Sequence, residues 1–197
     1  MARTADKTDI PKRLTEAGYA LFNQLGYNAT GIQQITDKAG VPKGSFYNHF
    51  DSKEAFAAQI IRNYGAFVDQ AWDAAMHAAP TEPLEAIRHL FSSFIQRHED
   101  SGRCGCLVGN FAAEVAEASD TCRQGLQTVM TTWRERLAEL IRQGQTHGSI
   151  RRDLDALVLS GFFWDAWEGA VLRMKVDHNT RPLKDVVTLM LDKFFCP

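Results

Sequence analysis

The chain has 197 residues, of which 45% are apolar and 23% charged, and its formal net charge is −2. That length buries a sizeable core without metal or disulfide staples, and the near-neutral balance excludes a blanket attraction to nucleic acid or an anionic membrane. The charge is nonetheless uneven: residues 1–60 carry seven Lys/Arg against six Asp/Glu, and the other 137 carry fifteen against eighteen.

The opening MARTADKTDIPKRL lacks the apolar core of a secretory signal. No apolar run approaches the ~18–20 residues that would span a bilayer. The final FFCP is not a prenylation box, since its cysteine stands one residue from the end. Four cysteines without a secretion signal are expected to be reduced thiols. A soluble, cytoplasmic protein with no membrane association is the expectation.

Helical periodicity dominates along the chain. Over residues 9–25, Leu14, Ala17, Leu21, Phe22 and Leu25 share a face, and Gly26 stops the run. Asn28-Ala29-Thr30 offers a cap for a short helix from Gly31 to Ala39, with Ile32 and Ile35 inward. Gly40 ends it, Val41-Pro42 opens a third, and that one runs to about Phe50. Asp51-Ser52-Lys53-Glu54 begins a long fourth helix that Pro80-Thr81-Glu82-Pro83 breaks. A fifth, marked by Leu84, Ile87, Phe91, Phe94 and Ile95, fades at Asp100-Ser101-Gly102. Leu107 to Ala118 reads as a sixth, Ser119-Asp120 caps a seventh that Gly148 closes, and Asp153 starts an aromatic-rich eighth ending near Val176. Arg181-Pro182 starts a ninth that includes Met190, Leu191 and Phe194. The pattern predicts an all-α fold of about nine helices.

Residues 40–56, GVPKGSFYNHFDSKEAF, concentrate polar and basic side chains just after a glycine turn. Two short helices joined at Gly40 fit a helix-turn-helix, whose second helix enters a DNA major groove. Gly44 lets backbone come close to a ligand, and Ser45 can bond a base edge or a phosphate. Tyr47, Asn48 and His49 can donate to phosphates or stack along the groove wall, and Lys43 and Lys53 add charge at both ends. Phe46 and Phe50, four apart, anchor the opposite face.

TGIQQITDKAGVPKGSFYNHFDSKEAF resembles the N-terminal domain of the TetR family of bacterial repressors over residues ~10–56, in residue type, order and spacing. The resemblance implies a DNA-binding domain at residues 1–56 and a helical ligand-binding and dimerisation domain at residues 57–197. It implies that Thr30 touches phosphate, that Lys43, Ser45, Tyr47, Asn48 and His49 face the groove, and that Lys53 meets the backbone; Gln33 is a further candidate. The partners it implies are a near-palindromic double-stranded operator, a small-molecule inducer, and a second copy of the chain held through the last two helices. Neither a cofactor nor a catalytic residue is expected.

In the second half, RCGCLVGNFAAEVAE resembles the branch of the family that responds to reactive electrophiles, oxidants or small unsaturated acids, and PKGSFYNHF and WEGAVLRMK fit it too. Cys106 stands where the sixth helix begins, where unsatisfied N–H groups favour a thiolate. Lys175 or Arg173 would deepen that effect if the fold brings one close. For a reversible, partly apolar effector the lining candidates are Phe94, Asn110, Trp133, Trp164, Trp167 and Glu168, although aromatics at helical spacing also simply pack. A packed, inert Cys106 is the plainer alternative. A Cys104–Cys106 disulfide would be a strained loop. Metal ligation by Cys104, Cys106, His98 or Cys122 lacks the usual spacing, and a thiol-dependent enzyme lacks a positioned base.

Overall fold

The computed structural model describes residues 9–102 and 105–197. Among these residues there are nine α-helices and no strand. They are α1 Ile10–Leu25, α2 Ile32–Ala39, α3 Lys43–Tyr47, α4 Lys53–His77, α5 Pro83–Asp100, α6 Leu107–Val115, α7 Asp120–His147, α8 Ala156–Asp177 and α9 Arg181–Leu189. The predicted end of the last helix instead widens into one π turn, Met190–Phe194, closed by the Phe195 N–H on the Met190 carbonyl. Cys104 lies outside the described residues. No helix among the described residues is long and apolar enough to cross a membrane.

The chain divides into two compact units, Met1–Gly65 with Leu107–Thr128, and Ala66–Cys106 with Val129–Pro197. The first unit thus gathers α6 and the start of α7 as well as the helices before residue 57. The reason is aromatic: Phe111 of α6 sits edge-on to Phe22 and Tyr27, with ring centroids 5.2 and 5.8 Å away. Cys122 of α7 also donates its thiol to the Glu54 carbonyl at 3.5 Å.

In the first unit, Leu14, Phe22, Ile35, Phe46, Phe56, Ile60 and Phe111 are fully buried. Each such side chain contributes about 1.5–3 kcal/mol by leaving water. Phe56 gathers the short helices, with Phe50 at 4.7 Å, Phe46 at 5.1 Å and Phe22 at 5.9 Å between centroids. Gly40 ends α2 at φ +64°, a left-handed conformation that favours glycine. Arg13 secures that end by donating to the carbonyls of Ala39 and Gly40 at 2.5 and 3.0 Å.

Several ends differ from the sequence reading. The N-cap of α2 is Gly31 rather than Thr30, and Gln34 Oε1 reaches back to accept from the Gly31 N–H at 2.6 Å. Pro42 precedes α3 as its N-cap, and the helix proper stops at Tyr47, although the Phe50 N–H still reaches the Phe46 carbonyl. Helix α6 stops at Val115, where the Ser119 N–H bonds the Val115 carbonyl. Asp155, not Asp153, caps α8, accepting from the N–H groups of Leu157 and Val158; Asp153 pairs with Arg151 instead.

The second unit packs α5, α8 and α9 with the end of α7. Ile87, Leu90, Leu159, Met174, Leu183 and Leu191 are buried there, and Phe163 packs on Phe91 at 4.3 Å and on Phe195 at 5.9 Å between ring centroids. Glu82 caps α5 through the N–H groups of Leu84 and Glu85 at 3.1 and 2.7 Å. Glu99 ties α5 to the start of α9 by accepting from Thr180 at 2.6 Å and Lys184 at 3.0 Å.

Candidate nucleic-acid interface and effector site

Helix α3 and the turn after it split cleanly into two faces. Phe46 is fully buried and Phe50 half-buried, whereas Lys43, Gly44, Asn48 and His49 are exposed and Tyr47 is 54% exposed. Ser45 lies between, half-buried. None of the described residues pairs with the side chains of Lys43, Asn48 or His49. Gly44 has open space where a Cβ would stand, with nothing within 4 Å. A helical glycine costs about 0.5–1 kcal/mol relative to alanine, and no contact among the described residues requires one there. The face is a cation, a phenol, an amide and an imidazole around a bare stretch of backbone, which suits donation to phosphates and base edges.

Two of the candidate phosphate contacts, Thr30 and Lys53, have hydrogen-bond partners inside the chain. Thr30 is buried, and its hydroxyl donates inward to the Gly26 carbonyl at 2.7 Å. Lys53 folds back at the start of α4: its Nζ donates to the Tyr27 carbonyl at 2.7 Å and lies 4.0 Å from the centre of the Tyr27 ring. Burial pulls the Lys53 pKa down, with the carboxylates of Glu54 and Glu114 opposing it. Both side chains brace the turn between α1 and α2. Gln33 is exposed and donates to Asp37 at 2.7 Å.

In the second unit, Cys106 directly precedes α6 and is 7% exposed. Its thiol is hydrogen-bonded to the Glu168 carboxylate of α8. Burial pushes the Glu168 pKa up, and the bond from Cys106 offsets part of that rise. Lys175, two turns further along α8, lays its stem on Gly105: a Cβ at Gly105 would meet Lys175 Cδ at 2.8 Å. Of the two cations considered for Cys106, Lys175 is therefore beside that segment. Arg173 points elsewhere, exposed and paired with Asp177 at 3.2 Å. Successive helical residues are about 100° apart, so two positions on nearly opposite sides of α8 cannot both reach one neighbour.

Aromatic rings also pack within this unit. Trp167 is buried, with Phe91 at 4.9 Å and the His98 ring at 6.2 Å. Burial lowers the His98 pKa, which favours its neutral form. Phe94 packs on Phe91 at 5.7 Å, and Trp164 stacks on Trp133 at 5.5 Å while donating Nε1–H to the Trp133 carbonyl at 3.1 Å. Asn110 belongs to the first unit, half-buried on α6. Cys122 belongs there too; burial raises its thiol pKa, which leaves it a poor nucleophile. Among the described residues no three His, Cys, Asp or Glu side chains are grouped to hold a metal ion.

Comparison with known proteins extends both regions. Residues 14–60 match the family model of bacterial regulatory proteins of the tetR family, and residues 83–190 match that of the tetracyclin repressor-like C-terminal domain. The chain is 36% identical over 186 residues to the HTH-type transcriptional repressor DhaR of Mycobacterium sp. (strain GP1), covering 94% of this chain and 92% of that protein. It is also 36% identical over 174 residues to the transcriptional regulator AcuR of Cereibacter sphaeroides, covering 86% and 78%. A crystal structure of the regulatory protein TetR from Rhodobacter sphaeroides superposes with a TM-score of 0.86 at 32% identity, covering 93% of this chain and 98% of that one.

Proposed function

We propose, since this chain belongs to the TetR family of bacterial regulatory proteins, that it represses transcription from a near-palindromic operator and is released when a small electrophile, oxidant or unsaturated acid reaches Cys106. The protein is a transcriptional regulator by family; the operator face, the inducer class and the assembly are our reading. Residues 1–56 form the DNA-binding domain in this reading and residues 57–197 the effector and dimerisation domain. Lys43, Gly44, Ser45, Tyr47, Asn48 and His49 contact the operator. Two copies read half-sites one helical turn apart, roughly 34–36 Å.

Dimerisation through α8 and α9 is supported by an outward stripe on α8. Val158, Phe162, Asp165, Gly169, Leu172 and Val176 are exposed at spacings of three and four, and Phe162 alone is 62% exposed. Apart from Asp165 the stripe is apolar or small, and an exposed apolar surface of that length favours a partner. Replacing Phe162 by Glu is expected to yield monomers by light scattering and to abolish tight operator binding; an unchanged dimer would place the interface elsewhere.

The hydrogen bond from the Cys106 thiol to the burial-raised Glu168 carboxylate carries the inducer reading. A carboxylate with a raised pKa is a stronger proton acceptor than an ordinary one. Facing an α,β-unsaturated carbonyl, the thiol gives its proton to Glu168 while sulfur forms a bond to the β-carbon. The displaced π electrons then take the same proton at the α-carbon, so the thiol adds across the double bond with no other reagent. Access at 7% exposure selects small reagents. The adduct favours the operator-incompetent arrangement, and a preference of ~1.4 kcal/mol lowers operator affinity tenfold.

The aromatic surroundings of Trp167, Phe91 and Phe94 favour a second reading, in which a hydrophobic ligand binds reversibly and Cys106 only lines its site. Fluorescence anisotropy on a palindromic fragment from upstream of the gene separates the two. Acrolein is expected to release wild type and to leave Cys106→Ser bound. Equal release of both proteins would support the reversible site and remove Cys106 from the mechanism.

A further inference from the structure

The turn from Gly26 to Thr30 launches α2, so its pose decides where α2 and α3 point. Most of its bonds are local to the DNA-binding helices. The Thr30 hydroxyl and N–H bond the carbonyls of Gly26 and Tyr27, and Lys53 bonds the Tyr27 carbonyl from α4. One bond comes from far along the chain: the Asn28 N–H donates to Glu114 Oε2 of α6 at 3.0 Å.

The turn is shaped around that carboxylate. Gly26 has φ +84°, a conformation that disfavours side chains, and a Cβ there would stand 2.5 Å from Glu114 Oε1. The residue that bends the chain is also the one that admits the acid. Phe111, one turn before Glu114 on α6, packs on Phe22 and Tyr27 and so keeps this face of α6 against the turn. Helix α6 is nine residues long and begins immediately after Cys106. Glu114 lies ~10 Å along it from Leu107 at the usual helical rise.

We propose that Glu114 is the positioning residue through which α6 sets the α1–α2 turn: seated on Asn28 and Gly26 it holds α2 and α3 in the operator-binding pose, and its withdrawal releases them. This rests on the reading of Cys106 as the sensing residue at the head of α6. A short helix moved at its first residue carries its last turn with it. A carboxylate accepting a backbone N–H is a strong, directional contact, so its loss frees the turn outright.

The test compares wild type, Glu114→Ala and Glu114→Gln for operator affinity, for acrolein-driven release and for the alkylation rate of Cys106. Glu114→Ala is expected to bind operator about tenfold more weakly, equivalent to ~1.4 kcal/mol, to alkylate at the wild-type rate, and to show an affinity ratio with and without acrolein close to one. Glu114→Gln keeps an acceptor oxygen for Asn28 and is expected to recover most of both losses. A Glu114→Ala protein with the wild-type affinity and release ratio would overturn the proposal, as would weakened binding with the release ratio intact. Should acrolein fail to release wild type, the Cys106 reading falls, and Glu114 is judged on affinity without inducer: equal binding by all three proteins overturns it. If Glu114→Ala folds poorly, amide exchange in wild type decides. Faster exchange at Asn28 after alkylation supports the proposal, and unchanged exchange contradicts it.

Discussion

The face of α3 and the surroundings of Cys106 solve opposite problems. On α3, Lys43, Asn48 and His49 are exposed and unpaired among the described residues, and Gly44 leaves backbone bare. Around Cys106 the thiol is held by Glu168 and Lys175 is folded along Gly105, while elsewhere on α8 Trp167 is packed against Phe91. Polar groups without internal partners keep their hydrogen-bonding capacity for a ligand, so their purpose reads outward. Polar groups already bonded inside the protein can serve packing, chemistry or both, and only perturbation separates these.

Removing the outward groups should therefore cost binding and almost no stability. Lys43→Ala combined with Tyr47→Ala is expected to weaken operator binding by about a hundredfold or more, and to flatten its salt dependence by about two units, one for the lysine of each protomer. The melting temperature should stay within the shift of an ordinary surface substitution, about 0.5 kcal/mol. Full affinity in that variant would dissolve the contrast between the two regions.

Lys53 sharpens the comparison, because it looks outward in sequence and is inward in structure. Lys53→Met removes the donor to the Tyr27 carbonyl, and is expected to destabilise the fold by about 1–3 kcal/mol. Thermal unfolding would register this as a lower midpoint. A midpoint equal to wild type with much weaker operator binding would return Lys53 to the phosphate backbone.

Gly44→Ala is the smallest change and the most pointed one. With open space at its Cβ position, alanine is expected to stabilise the protein by ~0.5–1 kcal/mol and to weaken operator binding by pushing backbone away from DNA. Tighter binding would mean that α3 approaches its ligand through another edge.

The α-helical class and most helix positions were legible because apolar spacings of three and four recur along the chain. The exposed polar face of α3 was legible too, since Phe46 and Phe50 at i and i+4 identify the buried side and leave the polar side by subtraction. Ends were harder. Thr30 reads as a cap, yet its hydroxyl finds the Gly26 carbonyl, and Gln34 reaches back in its place. Partners distant in sequence left no periodic trace. The pairing of Cys106 with Glu168, the choice of Lys175 over Arg173, and the bond from Glu114 to Asn28 depend on which helix faces meet, and local spacing carries no record of that. The partner of Lys53 left no trace for a related reason: it is a backbone carbonyl, which every residue possesses.

The most direct measurement follows chemistry and release in one sample. Wild-type protein on a labelled operator is titrated with acrolein, and at each step intact mass gives the fraction of chains carrying one adduct while anisotropy gives the fraction of DNA released. Release that tracks a single adduct mapped to Cys106 is the predicted result. Release that precedes any adduct, or complete alkylation of Cys106 with the operator still bound, would contradict the account.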